Sequence, residues 1–435
     1  MPDTPDMPRG PAVSSSGPPL PPAWPDDSAG ARAASDVPLC PFDFNDRLAF
    51  DPLLAHLADR GPLTRIRLPY GDSDAWLVTS FDAVRQVTTD PRLSRAAIVG
   101  RNYPRLTPEP IICPESINVL DPPHSTRLRR AVAAAFTHTR VERMRPAIEQ
   151  VAHRLLQEMA EHGPPADLAR HLSIPLPGHT ICEVLDVPGA DRAVLLHHTQ
   201  QMLATSPDAQ PAAAAAKQHL RDYFSALVAQ RRTAPGTDLI STMATAGEDG
   251  EDGEAPLSDQ ELAVLAVTLI LSGNDTATCQ ISNIVYTLLT HPGQWDLLVH
   301  HPERLPRTLE ELLRYLPFRK GVGIPRLALE DVKIGGSLIR AGEYVHVSYL
   351  AANRDPAVFD HPDVLDPDRP SHPHMTFGWG GHHCPATTLA LAELHSAISA
   401  LLTRFPRLHL AVPAHEVHWD TTTIRRFPLH LPVTW

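Results

Sequence analysis

The chain has 435 residues, 43% hydrophobic and 20% charged, with 50 acidic against 38 basic side chains and a formal charge of -12. That length buries a sizeable core, and an acidic balance without a basic cluster excludes nucleic acid as a partner. Five cysteines, Cys40, Cys113, Cys182, Cys279 and Cys384, are odd in number and widely scattered, which excludes a disulfide framework and points to a reducing cytoplasm.

Residues 1–40 are dense in Pro, Ser, Gly and Asp and are predicted to be a disordered tail, followed by a single folded domain over 41–435. No charged-then-apolar leader and no run of about eighteen apolar residues is read along the chain, so no membrane attachment is expected. From Thr64, two apolar stretches around the turn signal Gly71-Asp-Ser-Asp predict a hairpin. Helical periodicity starts at Phe81. Residues 91–120, with scattered prolines and no sustained periodicity, form a connection long enough to suggest a functional lid. Asp121-Pro-Pro then opens a helix whose first turns carry Arg127, Arg129 and Arg130, an unfavourable placement against the helix dipole. A solvated basic face is the ordinary explanation of such a placement.

Residues 141–232 show helical periodicity broken by prolines, including an alanine run that needs no chemistry. The acidic stretch 247–254 lacks calcium-loop spacing and reads as a solvated connection. Ser258 and Glu261 form a capping box, predicting a helix that runs to about Leu289 and is apolar enough to cross the core. Its middle, Ser272-Gly273-Asn274-Asp275-Thr276, is polar, which suits either a kink holding water or a function. Glu311 and Arg314 lie three apart on a further helix and, taken alone, read as an exposed ion pair. Short strands divided by glycine turns follow through residues 332–348.

The glycine-rich stretch from His374 to Cys384 precedes a clean helical pattern. Its glycines let backbone approach a flat ligand, and Pro385 reads as the first helical residue, which sets Cys384 at a helix N-terminus where a thiolate is favoured. An inert core cysteine is one reading. Zinc held by His382, His383 and Cys384 is another, disfavoured because consecutive residues converge poorly on a tetrahedral ion. An axial thiolate to haem iron suits a single ligand beside a glycine loop. The pattern Phe377-Gly378-x-Gly380-x-His382-x-Cys384 resembles the haem-binding signature of cytochromes P-450, with Ala386 where the family has a glycine.

This resemblance, to a bacterial soluble cytochrome P-450 over nearly the whole chain, implies a mainly α fold with small β-sheets, a triangular helix-rich prism. Haem b would lie between the long central helix and the cysteine-loop helix, with Cys384 as the metal ligand. It implies that Arg129, Arg326 and His374 neutralise the propionates, that Ser125 stands where the family has a propionate-binding histidine, and that Phe377, Gly378 and Gly273 border the ring. Asp275 and Thr276 would relay protons to dioxygen. Glu311, Arg314 and Arg369 would brace the core behind the haem. Ile98, Val99, Asn274, Val322, Ile324 and Thr423 would touch substrate, and Arg127 and Arg130 would offer a cationic face to an acidic donor. Electrons would come from NAD(P)H through ferredoxin reductase and ferredoxin.

Segments around residues 347–356, 373–378 and 431–435 resemble actinobacterial enzymes that couple aromatic natural products, the biflaviolin synthases and cyclodipeptide dimerases. The implied substrate is therefore aromatic, a polyphenol or an indole-bearing cyclodipeptide with two copies bound, and the implied product a dimer. Simple hydroxylation is the alternative, and a catalytically silent haem-binding or partner-recruiting homologue the remote one. Pro385, lacking an N–H, cannot donate to the sulfur, so a lower haem potential is expected than in a Pro385→Ala variant.

Overall fold

The computed structural model describes residues 37–44, 46–236, 238–245, 257–370 and 372–435. Residues 1–36 of the expected tail and the acidic connection 247–254 lie outside the described residues. Residues 38–40, at the end of the expected tail, pair with the chain near β1: Cys40 N–H donates to the Arg67 carbonyl (2.8 Å) and Arg67 N–H to that of Pro38 (2.9 Å).

Helix α1 (Pro52–Asp59) leads into the predicted hairpin, β1 (Leu63–Ile66) and β2 (Ala75–Val78), in antiparallel register Leu63 to Val78, then α2 (Phe81–Thr89) and β3 (Leu93–Ser94). The long connection up to residue 120 has little further regular structure before α3 (His124–Ala135) and α4 (His138–His162). Strand β4 (Ala166–Asp167) precedes α5 (Pro175–Val184), α6 (Gly189–Gln201), α7 (Gln210–Thr233), α8 (Leu239–Thr245) and α9 (Asp259–Thr290). Helices α10 (Gln294–His300) and α11 (Leu305–Tyr315) follow, then β5 (Arg326–Ala328), β6 (Val332–Ile334), β7 (Ser337–Ile339), β8 (Tyr344–Val347) and α12 (Tyr349–Ala352). Helix α13 (Thr387–Arg404), β9 (His409–Leu410) and β10 (Pro432–Thr434) complete the chain. The architecture is the expected one, mainly α with small sheets.

The largest sheet has the order β1-β2-β8-β5-β3, in which β2 and β8 alone run parallel. Strands β4, β10 and β9 form a second sheet and β6 and β7 a hairpin. The main apolar core lies among the helices, with α9 packed against α5, α6, α7 and α13, and α13 against α4.

Helix α9 starts as its capping box dictates. Ser258 Oγ accepts from Glu261 N–H (3.2 Å) and Glu261 Oε2 from Ser258 N–H (2.8 Å), satisfying two donors that the first turn leaves open. The polar stretch in its middle does not break it, since residues 259–290 form one α-helix. Contrary to the expectation of no such run, α9 is long and apolar enough to span a membrane, but 78% of its most apolar window is buried inside the fold, as for a core helix.

Candidate active site

From Leu262 to Leu288 every residue of α9 is buried except Leu271, Ser272, Gly273 and Thr276. Other helices enclose α9, so an accessible patch at its middle opens onto an internal space. Ser272 and Thr276, four apart, share that face. Gly273 has a simpler explanation than the one implied by resemblance: a Cβ there would stand 2.9 Å from Ile181 Cδ1 of α5, so the glycine lets two helices approach.

The cysteine loop is fixed by backbone. Gly378 and Gly380 have φ of +79° and +68°, and a Cβ on Gly380 would collide with the Thr88 carbonyl of α2. Cys384 N–H donates to the Phe377 carbonyl (2.8 Å). Pro385 is not the first helical residue, because it lies in a turn before α13 starts at Thr387. Nor does the helix terminus dominate the thiol. Burial pushes Cys384 up, while the Ala386 amide, the Thr387 hydroxyl and the Arg129 charge pull the other way. Among the described residues no cluster of three or more His, Cys, Asp or Glu is built to hold an ion, which leaves the zinc reading without a ligand set.

Beside this loop lie buried cations short of partners. Arg326 is 2% exposed, and neither Nη1 nor Nη2 has a hydrogen-bond partner. Arg95 reaches the Asn118 carbonyl (2.9 Å) but leaves Nε unpartnered, and burial reinforced by Arg326 lowers its pKa to about 9. His382 Nε2 lies 3.8 Å from Asp121 Oδ1 with Nδ1 unpartnered, and burial lowers its pKa to about 4. Two buried guanidiniums with unpartnered nitrogens and a neutral imidazole, near one carboxylate, Asp121, and beside the cysteine loop, fit a flat ligand that carries two carboxylates.

The residues expected to serve those carboxylates are only partly free to do so. Arg129 bonds the His383 carbonyl next to Cys384, and Ser125 is 1% exposed with an unpartnered hydroxyl. His374 is engaged elsewhere, with Nε2 3.1 Å from Glu310 Oε2 and its ring 5.9 Å from that of Phe377. Arg127, expected on an exposed docking face, is half-buried and paired with Glu261, while Arg130 is exposed.

Asp275 is 3% exposed, with Oδ1 at 2.9 Å from Arg425 Nη1 and 3.3 Å from Asn274 Nδ2. Burial raises its pKa to about 6 against the pull of Arg425. Thr276, one step along the helix, opens to the internal space. An open cleft nearby is lined by Tyr103, Ile111, Ile112, Arg319, Val322, Ile324 and Ile424, among others. Of the residues expected to touch substrate, Val322 and Ile324 line this cleft, Ile98 is fully buried in the core, and Val99 is half-buried outside that lining. Asn274 is buried against α5, where its Oδ1 limits the space at Gly178. Thr423 bonds Asp420, and its neighbour Ile424 takes the place in the cleft.

The pair on α11 is not an exposed ion pair. Glu311 and Arg314 are buried and bidentate (2.8 Å twice), Arg369 Nε joins at 3.3 Å, and Arg314 Nη1 holds the carbonyls of Asn353 (2.8 Å) and Pro362 (2.9 Å). Sequence reasoning missed Arg95, Arg319 and Arg425, which lie in segments that carry no periodic pattern. It also left His382 without a role, although the residue lies inside the motif.

The chain matches the Cytochrome P450 family over residues 301–413. It is 41% identical to nocardicin C N-oxygenase of Nocardia uniformis subsp. tsuyamanensis, covering 91% of this chain and 98% of that protein. It is likewise 41% identical to biflaviolin synthase CYP158A1 of Streptomyces coelicolor, covering 89% and 93%. Among solved structures, cytochrome P450mel 107F1 with biaryl coupling reactivity superposes with a TM-score of 0.89 at 57% identity, covering 91% of this chain and 99% of that one.

Proposed function

Since the chain belongs to the cytochrome P450 family, we propose that it joins two aromatic natural-product molecules by oxidative coupling. Its class is that of a haem-thiolate oxygenase. One observation carries the coupling reading: the 57% identical solved structure is described by its biaryl coupling reactivity. Biflaviolin synthase supports it from a second direction.

Haem bound through the Cys384 thiolate supplies the activation of dioxygen. Arg326 and Arg95, whose buried nitrogens lack partners, would hold its carboxylates with His382, Arg129 and Ser125, and Phe377 and Gly378 would border the ring. Thr276, exposed at the middle of α9, would offer its hydroxyl, and Asp275 beside it would hold and pass a proton. Val322, Ile324 and Ile424 exclude water from an aromatic guest, and two rings in one cleft would be held for bond formation between them. NAD(P)H would supply electrons through ferredoxin reductase and ferredoxin in the cytoplasm.

A second reading, insertion of one oxygen atom, is favoured by the similarity to nocardicin C N-oxygenase. The test starts with the reduced protein under carbon monoxide, whose Soret band is expected at the red-shifted position of thiolate ligation and absent from that position in Cys384→Ala. Titration with polyphenols and indole-bearing cyclodipeptides, followed by mass spectrometry, then separates the chemistries. A product of twice the substrate mass less two hydrogens supports coupling, and substrate plus one oxygen replaces it with the second reading.

A further inference from the structure

The segment over residues 420–427 forms one wall of the cleft and is pinned on both sides. Ile424 N–H donates to the Leu203 carbonyl (3.1 Å), Lys320 N–H to that of Ile424 (2.8 Å) and Arg426 N–H to that of Phe318 (2.9 Å). Ile424 turns into the cleft. Arg425 turns inward, is 6% exposed and rests over the Phe427 ring (5.5 Å). Its Nη1 meets Asp275 Oδ1 at 2.9 Å, Cys279 one turn further along α9 also meets the guanidinium, and its Nε has no hydrogen-bond partner.

We propose that Arg425 is a positioning residue for Asp275, holding its carboxylate ionised in the wall behind Thr276 and tying that acid to the cleft-lining segment. The inference rests on the reading that Asp275 and Thr276 pass protons. Consecutive helical residues point about 100° apart, so the carboxylate reaches the face of Thr276 only by leaving the guanidinium. Without a cation, a carboxylate buried this deeply takes up a proton and stays neutral. The charged and titratable groups around the pair are few: Asp275 and Cys279 from α9, and Arg425 and Asp420 from the C-terminal segment. On the α5 side of α9, Gly273 meets Ile181 and Asn274 meets Gly178, and Glu393 of α13 is directed at Thr180. Among the described residues, Arg425 is the cation that acts on this acid.

The experiment is an infrared pH titration of the carboxyl band of the haem-loaded enzyme, assigned by its loss in Asp275→Asn. A wild-type midpoint near 6 is expected. In Arg425→Met it should rise by at least about one unit, a tenfold gain in proton affinity, and Arg425→Lys should return it to within about half a unit of wild type. A merely structural arginine would lower stability in both variants and leave the midpoint where it was, and that result overturns the proposal. If Arg425→Met does not fold, Arg425→Gln carries the same requirement. The titration needs no turnover, so the carbon monoxide band judges the haem-thiolate reading separately.

Discussion

Arg326 is a buried cation whose terminal nitrogens meet nothing in the protein, and that is costly unless something else meets them. A carboxylate of bound haem is the partner its surroundings fit. Arg326→Leu should therefore weaken haem retention by the worth of a charged hydrogen bond, about 1.5–3 kcal/mol, or roughly ten- to a hundredfold. The rate of haem transfer to apomyoglobin measures this; an unchanged rate would place the carboxylate elsewhere. Glu393 of α13 makes the opposite case, an acid that burial keeps neutral. Its pKa is raised to about 8 from an ordinary 4.5, with the Thr180 hydroxyl pulling only weakly down. A carboxyl raised in this way contributes fully below pH 4.5, and its contribution is lost as pH climbs through 8. The loss is on the order of 4–5 kcal/mol. Glu393→Gln keeps the shape of the neutral acid, so thermal unfolding of the variant should lose little between pH 6 and 9 while wild type falls steeply.

At the scale of elements, α11 shows what spacing reveals and what it hides. The i,i+3 relation of Glu311 and Arg314 is visible in any helical reading, but its energetic weight depends on burial, which comes from residues some fifty positions later. Arg314 closes the carbonyls of Asn353, Pro362 and Val364 onto the helix, and Glu311 accepts the Asp366 amide (2.9 Å). Arg314→Met leaves a buried carboxylate with Arg369 and the Asp366 amide and should cost about 3–5 kcal/mol in denaturant unfolding, against under about 1 kcal/mol for an exposed pair. The start of α9 was legible for a local reason, because a capping box is written within four residues. Gly273 was legible as an oddity but not in cause, since the Ile181 side chain that fills its missing Cβ lies on another helix.

For the molecule as a whole, the class, the cysteine loop and the central helix could be read from sequence because each is a local pattern. The cleft could not, because its wall is assembled from three distant stretches, around residues 103–112, 319–325 and 424. Ile98 and Ile112 look alike in sequence, and only packing sends one to the core and the other to the cleft. The same long-range assembly fastens the connection 91–120. Glu109 meets Lys217 Nζ of α7 (3.4 Å), which also holds the Pro110 carbonyl (2.9 Å), and Glu115 meets Arg221 (3.7 Å) and Gln260 (2.6 Å). These half-buried pairs at the molecular edge are worth about 1 kcal/mol each, and salt screens them. Yet they span the cleft-lining residues 111 and 112, so a small loss acts on entry more than on overall stability. Lys217→Met should raise the association rate of 4-phenylimidazole severalfold, as followed by the optical shift in stopped flow, with the melting temperature changed by only a few degrees. Added salt should speed entry into the wild type and have a smaller effect on the variant. Equal salt responses in the two proteins would mean that the connection opens without parting from α7.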